Sequence, residues 1–321
     1  MAKVLVIGGA GYIGSHVVKA LLKSGHRADV FDNLSTGQEV NLFDEAGFIK
    51  GDILDYDLLL KTLRQGYDAV VHLAAKKAVG ESMEDPNKYS LNNIQGSLNI
   101  LMAMAEAGVK HIVFSSSAAV YGMPEYLPVD ENHPLKPINY YGFTKLEIEK
   151  FMQWYDRLRG IKYAALRYFN AVGYDAEGDI RGKEKNPQNL LPIIMEAATG
   201  VRDGMSVFGQ DYDTRDGTCI RDYVHVSDLA KAHVLAIEKL MTGMPSVSLN
   251  LGTGAGTSVQ EMIDAAEKVT GRKIKVSYAG RRSGDPATLV ASSEKARQML
   301  GWKPDYVNVE DIVRTTWNLE K

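Results

Sequence analysis

The sequence predicts an α/β protein built on a doubly wound parallel sheet. Three observations carry that reading. Short apolar strands alternate with helical stretches through the first half of the chain, the first strand runs into a glycine-rich turn, and an acid closes the second strand. Residues 4–7 are all apolar, as a strand covered on both faces should be. Gly8, Gly11 and Gly14 follow at a spacing of three, and the helix expected over 13–24 starts among them. Glycines at such places permit a tight turn, close approach of backbone to a pyrophosphate, and close packing of helix on strand. The helix start also offers N–H groups and partial positive charge to phosphates. Residues 28–31 form the second strand, and Asp32, eighteen residues after Gly14, is placed to accept hydrogen bonds from a ribose diol. A carboxylate there repels a 2′-phosphate, which favours NAD over NADP. The opening unit is therefore a Rossmann-type dinucleotide site.

A third strand is expected at 47–50, with Asp52 beyond it near an adenine. A helix over about 56–64 leads to a fourth strand at 69–73. Residues 89–106 read as one long amphipathic helix, 111–114 as a fifth strand, 141–158 as another long helix and 163–166 as a sixth strand. Strands joined by helices of this length make right-handed crossovers in a parallel sheet. After about residue 170 the texture changes. Residues 176–189 read as loops, 190–199 as helix, 205–208 as a short strand and 211–223 as an irregular hairpin. Residues 225–239 read as helix and 247–251 as an apolar strand rejoining the first sheet; helices at 258–270 and 292–300 flank a strand at 273–278. The expected organisation is a nucleotide-binding domain over 1–170 that also receives about 220–252. A smaller, partly interleaved domain over 171–321 would close on a substrate.

Composition excludes several classes. At 321 residues the chain can bury a large core, and its 45% apolar and 24% charged residues are ordinary for a globular protein. A net charge of −3 gives no general attraction to nucleic acid or an acidic membrane. The single cysteine, Cys219, rules out an internal disulfide framework and fits a reducing compartment such as the cytoplasm. The apolar start is too short and too glycine-broken for a signal peptide, and no run is long enough to span a membrane. The seven histidines do not pair with cysteine or carboxylate at metal-ligand spacing, so no metal is expected.

Two clusters could carry chemistry. Tyr141 and Lys145 lie four apart at the start of a helix, which puts both on one face. Tyrosine is a poor base at neutral pH, since its ordinary pKa is about 10. A neighbouring ammonium and a cationic nicotinamide both favour the phenolate, making a general acid/base poised near working pH. Surface packing also places Tyr and Lys four apart, so the spacing alone leaves both readings open. Ser115, Ser116 and Ser117 follow the fifth strand, where open parallel sheets bind ligands; a polar turn is the alternative.

Taken in order, the glycine turn, the serine run and the Tyr-x-x-x-Lys pair resemble the extended short-chain dehydrogenase/reductase family. Within it the chain is similar to the 4-epimerases of UDP-hexoses. The matching text runs from Gly8 to His16 and through Asp32-Asn33-Leu34, Lys77 to Ser82, Phe114 to Ser117 and Val120-Tyr121-Gly122. It continues with Arg167-Tyr168-Phe169-Asn170, Asn189-Leu190, Arg221 to Val226 and Arg281 to Asp285. The resemblance implies that Tyr141 is the base, that Lys145 holds the nicotinamide ribose and lowers the tyrosine pKa, and that Ser117 bonds the 4-hydroxyl. Tyr12, Ile13, Asn33, Asp52, Ile53, Lys77, Asn93, Ser115 and Phe169 would join the glycines and Asp32 around NAD. Asn170, Asn189, Leu190, Phe208, Arg221, Tyr223, Arg282 and Asp285 would hold the UDP-sugar. Arginine forks suit a diphosphate and Phe208 suits a uracil face. The implied reaction is reversible C4 epimerisation through a 4-keto sugar, with NAD kept as a prosthetic group and with a homodimer as the working form.

Sister 4,6-dehydratases carry Asp-Glu after the serine, where this chain has Ala118 and Ala119. That departure counts against dehydration. A non-catalytic NAD sensor is a reading of another class, against which the joint presence of Ser117, Tyr141 and Lys145 argues. Leu289, seven residues after Arg282, stands where a bulky tyrosine in the family blocks larger sugars, so acetamido sugars are expected to fit.

Overall fold

The computed structural model describes residues 1–184, 187–282 and 284–321. Lys185 and Asn186 of the expected loop, and Ser283 of the Arg281–Asp285 motif, lie outside the described residues.

In chain order the first half runs β1 (Lys3–Ile7), α1 (Tyr12–Lys23), β2 (Arg27–Asp32), β3 (Gly47–Lys50), α2 (Tyr56–Leu63), β4 (Ala69–His72), α3 (Val79–Glu84), α4 (Pro86–Tyr89), α5 (Gly96–Ala107), β5 (His111–Ser117), α6 (Tyr140–Arg159) and β6 (Lys162–Tyr168). The second half runs β7 (Asn170–Val172), α7 (Leu190–Thr199), β8 (Met205–Phe208), β9 (Ile220–Arg221), β10 (Tyr223–His225), α8 (Val226–Met241), β11 (Val247–Leu251), β12 (Thr257–Ser258), α9 (Val259–Thr270), β13 (Val276–Ala279), β14 (Thr288–Leu289), α10 (Glu294–Leu300) and α11 (Val309–Asn318).

The central sheet is wholly parallel, in the order β3-β2-β1-β4-β5-β6-β11. Side chains alternate along each strand, so the sheet feeds two cores. Val4 and Val6 face Val17, Val18 and Leu21 of α1 and Leu229 and Ile237 of α8. Leu5 and Ile7 face Leu59 and Leu63 of α2, Ile100 and Met104 of α5 and Ile148 and Met152 of α6. The order turns back at β1, between β2 and β4, which opens a crevice at the carboxyl ends of the strands. The last strand and α8 come from the second half of the sequence. Fully buried Trp302 ties the following segment to α8, its indole N–H donating to the Asp228 carbonyl at 2.8 Å. A third core joins α7, α9 and α11 through Leu191, Ile194, Met262, Ile263, Ile312 and Val313, with three short sheets beside it.

Several expectations need correction. The helix over 89–106 is not uniform: a π-helical turn spans Ser90–Gln95 between α4 and α5. The Ser97 hydroxyl donates to the Asn93 carbonyl inside it at 2.6 Å. The fifth strand does not end at residue 114: β5 continues through Ser117, so the three serines belong to the strand. The hairpin at 211–223 is absent: β9 pairs with β12 and β14, and β10 pairs with β7. The strand at 273–278 starts later, at Val276, where it lies beside β8. Apolar alternation within one segment does not reveal a partner that lies far along the chain. Helices α3, α4 and α11 and strands β7 and β14 lie outside the elements that the sequence predicts.

Four buried histidines set the acid response. Burial pushes His16 and His233 down to about 4, and His72 and His225 down to about 3, from an ordinary 6.5. Each is neutral in the fold, while the unfolded chain takes up protons below its ordinary value. The contribution of these rings to unfolding free energy is therefore complete above pH 6.5 and is lost as pH drops from 6.5 towards 4. Denaturant midpoints measured across that range should decline; a flat series would show that these rings are not held neutral.

Candidate active site

The glycine turn is shaped by contact. Gly8 has φ +87°, and a Cβ there would lie 2.7 Å from the Ala74 backbone nitrogen. At Gly14 a Cβ would lie 2.1 Å from the Gly8 carbonyl oxygen, so any side chain would push α1 off the turn. Gly11 caps α1 with extended backbone, no side chain caps the helix, and its first turn holds no acid. The helix thus presents bare N–H groups and its positive end to the crevice. Nearby, buried Asp32 accepts from the Ala10 N–H at 3.0 Å and the Leu34 N–H at 2.8 Å. Burial raises its carboxyl, and these two donors pull it back. Asn33 donates to Asp52 at 2.8 Å, which places the two beyond Asp32. A side-chain-free cradle, an open helix end and an acid at the next strand together fit a dinucleotide.

The turn is walled by two further contacts. Asn93, fully buried in the π-helical turn, accepts from the Lys76 N–H at 2.8 Å and donates to the Lys76 carbonyl at 3.0 Å. It also donates to Thr144 at 3.2 Å, so its amide pins the loop after β4 to α6. Lys77, next in that loop, pairs with Glu184 at 2.7 Å. The segment 173–184 crosses α1: the Tyr12 hydroxyl donates to the Gly173 carbonyl at 2.6 Å, and Lys19 is held by Asp175, Glu177 and Asp179. The Gly182 N–H donates to Asn41 at 2.8 Å, fastening the other end.

The chemical centre forms where β5 ends against the start of α6. Asn139 caps α6 by accepting from the Gly142 N–H at 2.8 Å, which fixes the entry of Tyr141. Ser117 accepts from the Ala119 N–H at 3.2 Å, which leaves its own proton for the Tyr141 oxygen it touches. Burial pushes Tyr141 up to about 12, and the Ser117 bond opposes that rise. Lys145 is 2% exposed. Its ammonium donates to the Ser115 carbonyl at 2.7 Å and lies 5.7 Å from the Tyr141 ring centre. Burial pulls Lys145 down to about 7, against the charge of Glu149. A poor base and a loosened ammonium thus stand side by side, and a cation placed beside them favours the phenolate. The Ser115 hydroxyl is bonded to that of Tyr168.

The residues expected around a UDP-sugar gather in the second half of the chain. Asn170 and Tyr223 are register partners in the β7–β10 pair, and Arg221 and Leu289 are register partners in the β9–β14 pair. Arg221 donates to the Pro286 carbonyl at 2.8 Å and lies 3.5 Å from Asp285. Arg282 lies over the Phe208 ring at 3.9 Å, so in this structure a guanidinium covers the face assigned to uracil. Asn189 stands at the start of α7 and Leu190 opens that helix. Leu289 and Phe169 pack on the small cluster of Ala118, Val120, Tyr121 and Leu146, next to Ser117. Sequence reasoning missed Glu184, Thr144 and the buried Glu149–Arg167 pair behind β5. The last was within reach, since Glu149 repeats the spacing of four from Tyr141 to Lys145.

Comparison with known proteins agrees with this geometry. Residues 4–252 match the NAD dependent epimerase/dehydratase family. A UDP-glucose 4-epimerase of Streptococcus mutans is 49% identical, over 98% of this chain and 95% of the relative. The crystal structure of UDP-glucose 4-epimerase from Brucella ovis in complex with NAD superposes with a TM-score of 0.96 at 45% identity, covering 98% of this chain and 97% of the other. The enzyme of the same name from Stenotrophomonas maltophila, with bound NAD and formylated UDP-arabinopyranose, gives 0.96 at 40% identity, covering 100% and 98%. With a match that spans the sheet from its first strand to its last, the chain belongs to the NAD dependent epimerase/dehydratase family.

Proposed function

We propose that the chain is an NAD-dependent isomerase that reversibly inverts C4 of a UDP-hexose, interconverting UDP-glucose and UDP-galactose. The observation that carries this reading is the meeting of Ser117, Tyr141 and Lys145 at the end of β5, between the glycine cradle and the arginine-bearing second half. Bound NAD supplies a hydride acceptor that gives back what it takes, so no net redox change results.

The chain's own residues do the rest. Tyr141 takes the 4-hydroxyl proton and later returns it; Lys145 keeps the phenolate accessible, and Ser117 bonds the same oxygen. Gly8, Gly11, Gly14, Asp32, Asn33, Asp52 and Lys77 hold the cofactor, and the segment 173–184 braces the helix on which it rests. Arg221, Asp285, Arg282 and Phe208 grip the UDP end, remote from the reacting carbon. The wall near the sugar is Leu289, Phe169 and Ala118, which has no polar group to prefer one face of a flat ketose. Ala118 and Ala119 also supply no acid to expel a hydroxyl, which sets dehydration aside.

Assay with UDP-galactose and no added reductant should give UDP-glucose. Tyr141→Phe should lower turnover by about 10² or more while NAD stays bound to the purified protein. Near-normal rates would remove Tyr141 from its role. Leu289 leaves room for an acetamido group, so UDP-N-acetylglucosamine should be converted as well. Leu289→Tyr should abolish that activity and keep conversion of UDP-galactose; equal loss of both would overturn the gate.

A homodimer is the working form on this reading. Phe143, Trp154 and Leu158 of α6 are exposed on one face, and Met102 of α5 is exposed nearby. Two copies of such a helix pair can bury these side chains against each other. Light scattering should report two chains, and Trp154→Glu with Leu158→Lys should give one.

A further inference from the structure

Behind the catalytic strand lies a buried charge pair that neither the cofactor nor the UDP-sugar reading uses. Glu149 is wholly buried and Arg167 is 4% exposed. Arg167 donates to Glu149 through Nε at 2.9 Å and through Nη2 at 2.5 Å. Ser116 donates to the same carboxylate at 2.5 Å and Ser248 at 3.2 Å, so both oxygens are saturated. Arg167 also donates to the Tyr121 hydroxyl at 3.0 Å, and Tyr121 donates to Asn250 at 2.6 Å. One network thus joins α6, β5, β6 and β11 to the turn that carries Ala118.

Removing two charges from water is costly, and a well-packed apolar pair of similar size often stabilises as much. The location explains what an apolar pair could not do. Glu149 lies one helical turn after Lys145, on the same face of α6. Ser116 is the central serine of the run, and strand alternation turns Ser115 and Ser117 to the side opposite the one it uses on Glu149. Its bond to Glu149 therefore sets the facing of the strand end that gives Lys145 its carbonyl and Tyr141 its hydroxyl partner.

We infer that Glu149 is a positioning residue: with Arg167 as its buried counter-ion, its carboxylate locks the Ser115–Ser117 strand end that seats Lys145 and Tyr141. The inference rests on the role given above to Tyr141 and Lys145. Among the described residues, the groups around Lys145 leave Glu149 as its anionic neighbour. Tyr141 lies on α6, His72 on β4 is neutral, Phe114 on β5 lies under the ammonium, and Tyr168 and cationic Arg167 come from β6. Without the Glu149 carboxylate the Ser116 hydroxyl loses its charged acceptor, and the strand end no longer holds the Ser117 hydroxyl on the Tyr141 oxygen, whose ionisation it favours.

The test compares the NAD-loaded wild type with Glu149→Gln and with the uncharged pair Glu149→Gln/Arg167→Gln. Near-ultraviolet difference titration against Tyr141→Phe isolates one phenol. Its midpoint should rise by about one pH unit in each folded variant, and kcat should fall about tenfold with KM little changed. Melting temperature reports folding; where Glu149→Gln unfolds on account of the stranded arginine, the uncharged pair decides. A folded uncharged pair with wild-type phenol titration and wild-type kcat overturns the proposal, because the charges then serve packing alone. The titration needs no turnover. Failure of the wild type to convert UDP-galactose would instead overturn the assigned reaction and leave the measured link between Glu149 and Tyr141 intact.

Discussion

The site depends on keeping one ammonium charged in a place from which water is excluded. Lys145 is almost fully buried, and its hydrogen bond to the Ser115 carbonyl and its place over the Phe114 ring replace part of its hydration. Burial nonetheless pulls it down to about 7, far below an ordinary lysine. Tyr141 is displaced in the opposite direction by the same burial. Two groups of nearly equal proton affinity in water are thereby driven apart, Tyr141 to about 12 and Lys145 to about 7, and a charge placed beside them then decides where the phenol's proton goes. Strand β5 and helix α6 exist in this arrangement to serve that proximity, and the cofactor cradle and the arginines are arranged around it.

Much of this was legible in the amino-acid order. The short apolar runs of β1, β2 and β4 and the spacing of Gly8, Gly11 and Gly14 are local signals, and local signals survive without tertiary context. Tyr141 and Lys145 were legible because a helix converts a spacing of four into a shared face. The misread parts are those set by distant partners. The Ser115–Ser117 strand end is polar, and its pairing with Leu166–Tyr168 keeps it extended. The short strands β9, β10, β12 and β14 are two or three residues long and owe their existence to neighbours far along the chain. Asn93 carries no local mark of its task, since pinning the Lys76 backbone is visible only when α4, α5 and the loop after β4 are in place.

The second half of the chain solves a different problem. An enzyme of this kind must hold a nucleotide firmly and a sugar loosely. Charged and aromatic groups, Arg221, Asp285, Arg282 and Phe208, are collected at one end. Aliphatic and aromatic side chains without fixed hydrogen-bond demands, Leu289, Phe169 and Ala118, sit beside Ser117 at the other. Binding energy gathered far from the reacting carbon can be used without freezing the ring that must turn.

The threading of β11 has a consequence for how the protein is made. This strand completes the sheet beside β6, yet it follows nearly eighty residues of other structure after β6 ends at Tyr168. During synthesis the nascent amino-terminal half leaves the ribosome with the β6 edge unpaired and the flank of α1 that meets α8 uncovered until α8 and β11 emerge. A fragment ending near residue 170 would keep the whole glycine cradle and still expose an open strand edge to self-association. The two halves are in that sense one folding unit, and the nucleotide cradle borrows its solubility from sequence that lies beyond it.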